Sequence, residues 1–323
     1  MFIKERSEPW ELRVMRVLHA RMALSAEDKR QFFKLKKGFE GEKKFDQLLT
    51  PLSGKFLGLG DLLFDHNQTL FQIDTLLLSG DSIYLFDVKT FEGDYTFEED
   101  HWHSSSGVET RNPIHQLHRS ESLLRQLLRH LRLDLPIVSY AVFVHSEFTL
   151  YQAKPSLPLI LPTQLAHYVR KWHTEFSPPD QKYTQLAERL RSLHVEKSPY
   201  RRTPNYEYQQ LRKGVVCENC PTFMRFIKKF FHCPACKTLE PLEKAVIRSI
   251  HDFALLFPEA TITTNVIYEW CNVVRSKRTI QKVLRNNFER TGHGKSTSYL
   301  IPSRSPSSPP TSFSKPAINK KSE

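Results

Sequence analysis

Two sets of side chains in this chain of 323 residues have the types and spacing of chemistry. The first lies in residues 71–90, FQIDTLLLSGDSIYLFDVKT, where apolar β-formers fill two arms around a Ser-Gly-Asp-Ser cluster. That is the pattern of a hairpin, and a Gly80-Asp81 loop of type II′ sets its register. Asp74 then faces Asp87, with Cβ atoms ~4.5–5.5 Å apart. Gln72, Asp74, Leu76 and Leu78 share a face with Ile83, Leu85, Asp87 and Lys89, while the opposite face is apolar apart from Thr75 and Thr90. Like charges directly across a ladder destabilise it, unless a cation lies between them. Oxygen ligands suit Mg²⁺ or Mn²⁺, and Lys89 projects into the same space. Such a set suits metal-assisted hydrolysis, in which an ion polarises a phosphate and activates a water while the ammonium orients that water or offsets developing charge. A solvated face whose acids pair with Lys89 is the plainer reading of the same residues.

The second set is Cys217-x₂-Cys220 and Cys233-x₂-Cys236, joined by PTFMRFIKKFFH. Four thiolates in two knuckles fit tetrahedral Zn²⁺ in a zinc ribbon. Between the knuckles Arg225, Lys228 and Lys229 interleave with Phe223, Phe226, Phe230 and Phe231, a mixture able to meet phosphates and stack on bases. The same aromatics also serve as the miniature core such a hairpin needs. Cys271, the fifth cysteine, reads as a buried thiol beside Trp270.

The elements that must position the acids follow from periodicity. GFEGEKKFDQLL turns helical from Gly38, with Phe45, Leu48 and Leu49 at helical spacing. Glu42 near its start is explained equally by the helix macrodipole and by metal chemistry. Residues 56–64 predict a first strand, the hairpin supplies two more, and a polar β-excursion follows with His101 and His103 unassigned. Asn112-Pro113 predicts a helix start, whose core stripe is Leu117, Leu123, Leu124, Leu127, Leu128 and Leu131. Gln116, early in that helix, is within reach of the hairpin's polar face. Residues 137–144 predict another buried strand, and LPLILP an edge element.

This order, with an acid on the first helix, then Asp, then D-V-K, resembles the core of the PD-(D/E)XK nuclease superfamily. Gly38-Phe39-Glu40-Gly41-Glu42, Gln72-Ile73-Asp74, Phe86-Asp87-Val88-Lys89 and Asn112-Pro113-Ile114-His115-Gln116 resemble the nuclease-related domain, NERD, over about residues 38–150. The resemblance implies an α/β, restriction-endonuclease-like αβββαβ core with a mixed sheet and a Mg²⁺-dependent endonuclease activity. It makes Asp74 and Asp87 metal ligands, Lys89 the catalytic lysine, Glu42 an accessory acid with Glu40 as its possible substitute, and Gln116 a helper. The family more often has Glu than Asp before V-K; ligation survives that change.

Beyond Pro241 three helical segments follow, the last capped by Ser276. Ile280, Val283, Leu284 and Phe288 mark its buried face, leaving Lys277, Arg278, Gln281, Lys282 and Arg285 outward. This resembles a winged-helix or helix-turn-helix domain with its recognition helix set for a major groove; a solvated basic face is the competing reading. The domains expected are 1–37, a basic extension; 38–173, the nuclease-like domain; 174–213, a helical piece and linker; 214–240, the ribbon; 241–302, the winged-helix-like domain; and 303–323, a disordered Ser/Pro-rich tail.

The formal charge of +12 favours an anionic partner, nucleic acid first, and the ribbon and winged-helix-like modules point to double-stranded DNA. No run approaches the ~18 apolar residues of a membrane span, and charges interrupt the opening residues where a secretory signal would be apolar. A cytoplasmic protein is expected, and clustered cysteines in a reducing compartment point to metal rather than disulfides. The expected function is metal-dependent phosphodiester hydrolysis. A nucleic-acid-binding or regulatory protein with little activity, and a protein-interaction scaffold, are the competing expectations.

Overall fold

Gly80 takes φ +56° while Asp81 does not take a left-handed φ, as the first position of a type II′ loop requires. The ladder it sets runs from Ser79↔Ser82 to Thr75↔Phe86. The computed structural model describes residues 1–196, 202–272 and 276–301. The tail expected from 303 and residues 197–201 of the linker lie outside the described residues. Contacts divide the chain into two units, Met1–Met15 with Leu24–Pro204, and Arg16–Ala23 with Asn205–Glu323.

The first unit is built on a six-stranded mixed sheet. In chain order its elements are β1 (Phe2–Lys4), α1 (Trp10–Arg21, whose end belongs to the second unit), α2 (Ala26–Leu48), β2 (Leu57–His66), β3 (Thr69–Ser79), β4 (Ser82–Lys89), the excursion β5 (Gly93–Glu98), β6 (His101–Ser104) and β7 (Glu109–Thr110), α3 (Pro113–His130), β8 (Ile137–Phe143), β9 (Phe148–Tyr151), β10 (Leu159–Ile160), α4 (Leu165–Glu175) and α5 (Gln181–Ser192). The order across the main sheet is β1-β2-β3-β4-β8-β10. β2, β3 and β4 form an antiparallel meander, and β8 joins β4 in parallel after the α3 crossover. Residues 1–37, read as a basic extension, supply β1, α1 and the first turns of α2.

Both faces of the sheet are covered. Leu76, Leu78, Ile83 and Leu85 pack with Leu117, Leu124 and Leu127 of α3 and Leu186 and Leu190 of α5. Leu77, Phe86 and Val88 pack on the other side with Phe45 of α2 and Trp172 of α4. Phe45 is fully buried, its ring 5.0 Å from that of Phe86. Phe45→Ala is expected to cost about 3–5 kcal/mol of unfolding free energy, read from urea midpoints.

Two local expectations are corrected. Glu42 does not open its helix: Ser25 is the N-cap, its hydroxyl accepting from Asp28 N at 3.0 Å, and α2 starts at Ala26. The macrodipole therefore has no claim on Glu42, whose distance from the helix start exceeds the first turn. Nor does Gln72 share a face with Leu76. Ile73 and Phe71 join the Leu76 cluster while Gln72 is exposed, so the alternation flips at Asp74. The flip is matched in β2, where Leu59 and Leu62 both enter that cluster and Asp61 takes φ +51°. The pair Asp61/Asp74 drops out of a ladder that resumes at Leu62↔Ile73.

The second unit begins with a three-stranded antiparallel sheet, β11 (Arg225–Ile227), β12 (Phe230–His232) and β13 (Leu239–Pro241). Three helices follow, α6 (Leu242–Leu256), α7 (Thr264–Cys271) and α8 (Lys277–Asn287), then the hairpin β14 (Glu289–Thr291) and β15 (Ser298–Leu300). Ile280, Val283, Leu284 and Phe288 are buried as periodicity predicts, and Ser276 caps α8 by accepting from Arg278 N. Arg21 is buried in this unit: it donates to the carbonyls of Arg212 and Gly214 at 2.9 and 3.1 Å and stacks over Trp270. Among the described residues, no helix is long and apolar enough to cross a membrane.

Candidate active site and cysteine cluster

Asp87 and Lys89 alternate to the same side of β4 and meet. Lys89 Nζ lies 2.7 Å from Asp87 Oδ2 and donates to Gln116 Oε1 at 2.9 Å. Asn112 and Pro113 start α3 so that Gln116 falls in its second turn over the strand end; Asn112 Oδ1 accepts from Ile114 N at 2.8 Å. Asp87 is 5 % exposed and its Oδ2 is wholly buried. That oxygen meets the Lys89 ammonium as a buried ion pair.

Asp74 comes to the same place by a different route. The hairpin register would pair it with Asp87, but the ladder stops one step earlier at Thr75↔Phe86. In place of a backbone carbonyl, Asp74 Oδ2 accepts the N–H of Val88 at 2.8 Å, which fixes the carboxylate at the opening between the strands. Its other oxygen takes no hydrogen bond among the described residues.

Glu42 approaches from α2, on the opposite side of the sheet from α3. A Cβ at Gly41 would stand 2.1 Å from Thr90 Cγ2 and 3.1 Å from Val144 Cγ2, so glycine there lets the helix backbone close on the end of β4. Glu40 lies on the exposed side, paired with Lys36 at 3.7 Å, and is no substitute for Glu42.

Sequence reasoning missed the group that joins these acids. The guanidinium of Arg6, 2 % exposed, donates to Glu42 Oε2 at 2.6 Å, to Asp46 Oδ2 at 2.8 Å, to the backbone carbonyl of Asp74 at 2.7 Å and to Thr75 Oγ1 at 2.8 Å. Its sole signal was an arginine in a basic opening segment, where charge is ordinarily solvated. Asp46, one turn beyond Glu42 on the same face of α2, carried the i, i+4 spacing but no motif.

Burial drives the electrostatics. It pushes the Glu42 carboxyl up to about 8, aided by the charge of Asp74 and opposed by Arg6. Asp74 rises to about 7 for the same reason, aided by Asp87 and opposed by Lys89, the Val88 N–H and Arg6. Asp87 is also raised by burial, with Lys89 opposing. The folded, metal-free chain thus keeps protons that the unfolded chain, with ordinary carboxyls near ~4, has lost. Its stability is expected to fall as pH climbs from ~4 towards 8. A divalent ion held by these carboxylates would displace those protons, so any affinity for Mn²⁺ is expected to rise roughly tenfold per pH unit per proton released between pH 6 and 8. Thermal melts with and without Mn²⁺ at both pH values check both signs.

In the second unit the cysteine sulfurs converge. Cys217 and Cys236 are 3.5 Å apart, Cys220 and Cys233 3.4 Å, Cys220 and Cys236 3.7 Å, and all four lie within 4.8 Å of one another. Two similar turns present them: Cys217 N donates to Thr222 O and Cys233 N to Thr238 O, both at 2.9 Å. Among the described residues this is the one set of three or more such ligand atoms so gathered. The Thr238 hydroxyl, 3.1 Å away, draws Cys236 down to about 6, whereas burial pushes Cys217 up to about 12. Of the intervening aromatics Phe231 is wholly buried, Phe226 packs on it and Phe230 is 47 % exposed, so the core and outward readings divide between them. Arg225, Lys228 and Lys229 are exposed, as are Lys277, Arg278, Gln281, Lys282 and Arg285. Cys271 is buried, its thiol raised to about 12 by burial. His101 pairs with Glu109 at 2.8 Å.

Residues 37–144 match the family model of the nuclease-related domain, NERD. That span carries Glu42, Asp74, Asp87, Lys89 and Gln116, and the match supports a nuclease-related domain there. No curated protein and no solved structure matches the chain.

Proposed function

We propose that this protein is a metal-dependent nuclease hydrolysing phosphodiester bonds of nucleic acid, with double-stranded DNA the favoured substrate. The observation that carries the reading is the meeting of Asp74, Asp87, Lys89 and Gln116 at the opening between β3 and β4, inside the nuclease-related stretch. The buried carboxylate of Asp87 and the second oxygen of Asp74 fit a divalent ion, since crowded acids with raised pKa values are relieved by a cation. Asp74 and Asp87 would hold Mg²⁺ or Mn²⁺, which when bound polarises the scissile phosphate and makes water acidic.

The chain's own groups do the rest. Lys89, held between Asp87 and the Gln116 carbonyl, keeps its ammonium aimed; it orients the attacking water and offsets charge growing on the phosphate. Gln116 acts by fixing the direction of that ammonium. Glu42, held by Arg6 beside Asp74, serves as the accessory acid. The four cysteines would hold a structural Zn²⁺. The three helices with the β14–β15 hairpin have the order of a winged helix, and α8 presents its cationic side for a DNA groove.

Incubation with linear, nicked, supercoiled and single-stranded DNA and with RNA, in Mg²⁺ or Mn²⁺ and in EDTA, tests the reading: duplex products that EDTA abolishes are expected. One observation favours a second reading, a nucleic-acid-binding or regulatory protein with little turnover. Among the described residues the carboxylates do not gather three oxygens within 4.8 Å as the cysteines gather sulfurs. Tight, salt-dependent DNA binding without divalent dependence or product would establish that reading. Under either, Lys282→Ala and Arg285→Ala are each expected to lower the slope of log K against log salt by about 1, measured by fluorescence anisotropy on duplex DNA.

A further inference from the structure

The acids sit where two neighbouring strands lose a step of their ladder, and what repairs that step comes from the beginning of the chain. β1 runs parallel to β2, with Phe2 opposite Gly58 and Lys4 opposite Leu59. This brings the next residues across Gly60, where an added Cβ would stand 3.3 Å from Arg6 N. Lys4 Nζ donates to the carbonyls of Gly60 and Asp61 at 2.6 and 2.7 Å. Arg6 does the same on the far strand, donating to Asp74 O and to Thr75 Oγ1. A carbonyl that leaves a ladder and stays buried needs a new donor. The two cations supply donors on both sides of the missing pair Asp61/Asp74.

Arg6 also reaches α2. Its fork spans Asp46 with Nε and Nη2 and takes Glu42 with Nη1. One planar group therefore fixes the strand carrying Asp74 relative to the helix carrying Glu42. Lysine cannot do this, because an ammonium lacks the rigid set of donors that spans several acceptors.

We infer that Arg6, which lies outside the family-matched residues 37–144, is a positioning residue of the divalent-ion site: it holds Asp74 and Glu42 in the arrangement that takes the ion. This rests on the metal-dependent reading above. Groups that orient ligands without touching the metal typically change affinity by about 10–100-fold when removed.

The test is Mn²⁺ binding to the full chain, followed by electron paramagnetic resonance, for wild type, Arg6→Ala and Arg6→Lys, with thermal melts alongside and cleavage assayed separately. About tenfold or more weaker binding is expected for Arg6→Ala, with partial recovery in Arg6→Lys. A melt of Arg6→Lys close to wild type would separate positioning from general loosening. Wild-type Mn²⁺ affinity in a folded Arg6→Ala overturns the inference. If Arg6→Ala does not fold, Arg6→Lys decides: undiminished affinity overturns the inference, and weakened affinity with an intact melt supports it. Wild-type protein that binds no Mn²⁺ removes the metal-dependent reading and this inference together. Wild type that binds Mn²⁺ but cleaves nothing removes only the nuclease reading, since ion binding by the variants still decides this one.

Discussion

Lys89→Ala is expected to lower divalent-dependent cleavage by at least about 10²–10³-fold, the usual loss when one donor to a developing negative charge is removed. Its position makes the loss hard to replace. The side chain is 14 % exposed, and its ammonium touches Asp87 on one side and Gln116 on the other. The variant should nevertheless fold. Stripped of its counter-charge, the buried Asp87 carboxyl takes up a proton instead of standing as an isolated anion, so the penalty on stability is softened. On the proposed reading Asp87→Ala removes a metal ligand and is expected to be equally inactive, with any DNA binding by the second unit persisting. Single-turnover cleavage alongside anisotropy measures both. Cleavage within tenfold of wild type in Lys89→Ala would exclude the assigned role.

The second large effect concerns the cysteines. One Zn²⁺ per chain is expected by elemental analysis, and Cys233→Ala or exhaustive chelation is expected to remove it and unfold the three-stranded module. In zinc-finger peptides a structural zinc contributes about 10–16 kcal/mol, far more than a core made of Phe231, Met224 and Val216 can supply. Burial pushes the Cys217 thiol up to about 12, while the Thr238 hydroxyl draws Cys236 down to about 6. Cys271→Ser is the control: its sulfur is outside the cluster, and zinc content should not change.

What was legible in the sequence was local. A Gly-Asp loop between β-forming arms fixes a register without help from the rest of the fold, so the nearness of Asp74, Asp87 and Lys89 could be read from residues 71–90. The cysteine knuckles are likewise short-range, and α8 announces its buried face by periodicity alone. The flip at Asp74 was not legible, because it depends on Lys4 and Arg6 reaching strands more than fifty residues away. Arginines in an opening segment look alike whether solvated or buried. Glu42 was misplaced within its helix for a related reason: residues 26–37 are so rich in charge that helical periodicity shows only from Gly38, although Ser25 and Asp28 had already begun the helix. The role of Gly41 emerges only when Thr90 is seen against it.

The excursion of α1 into the second unit bears on how the protein can be taken apart. A cut in the linker looks natural, yet a fragment starting at residue 205 forfeits residues 16–23. It would leave one face of the Trp270 indole uncovered and the carbonyls of Arg212 and Gly214 without their donor. The piece bearing the cysteines and α8 is thus a poor candidate for expression alone.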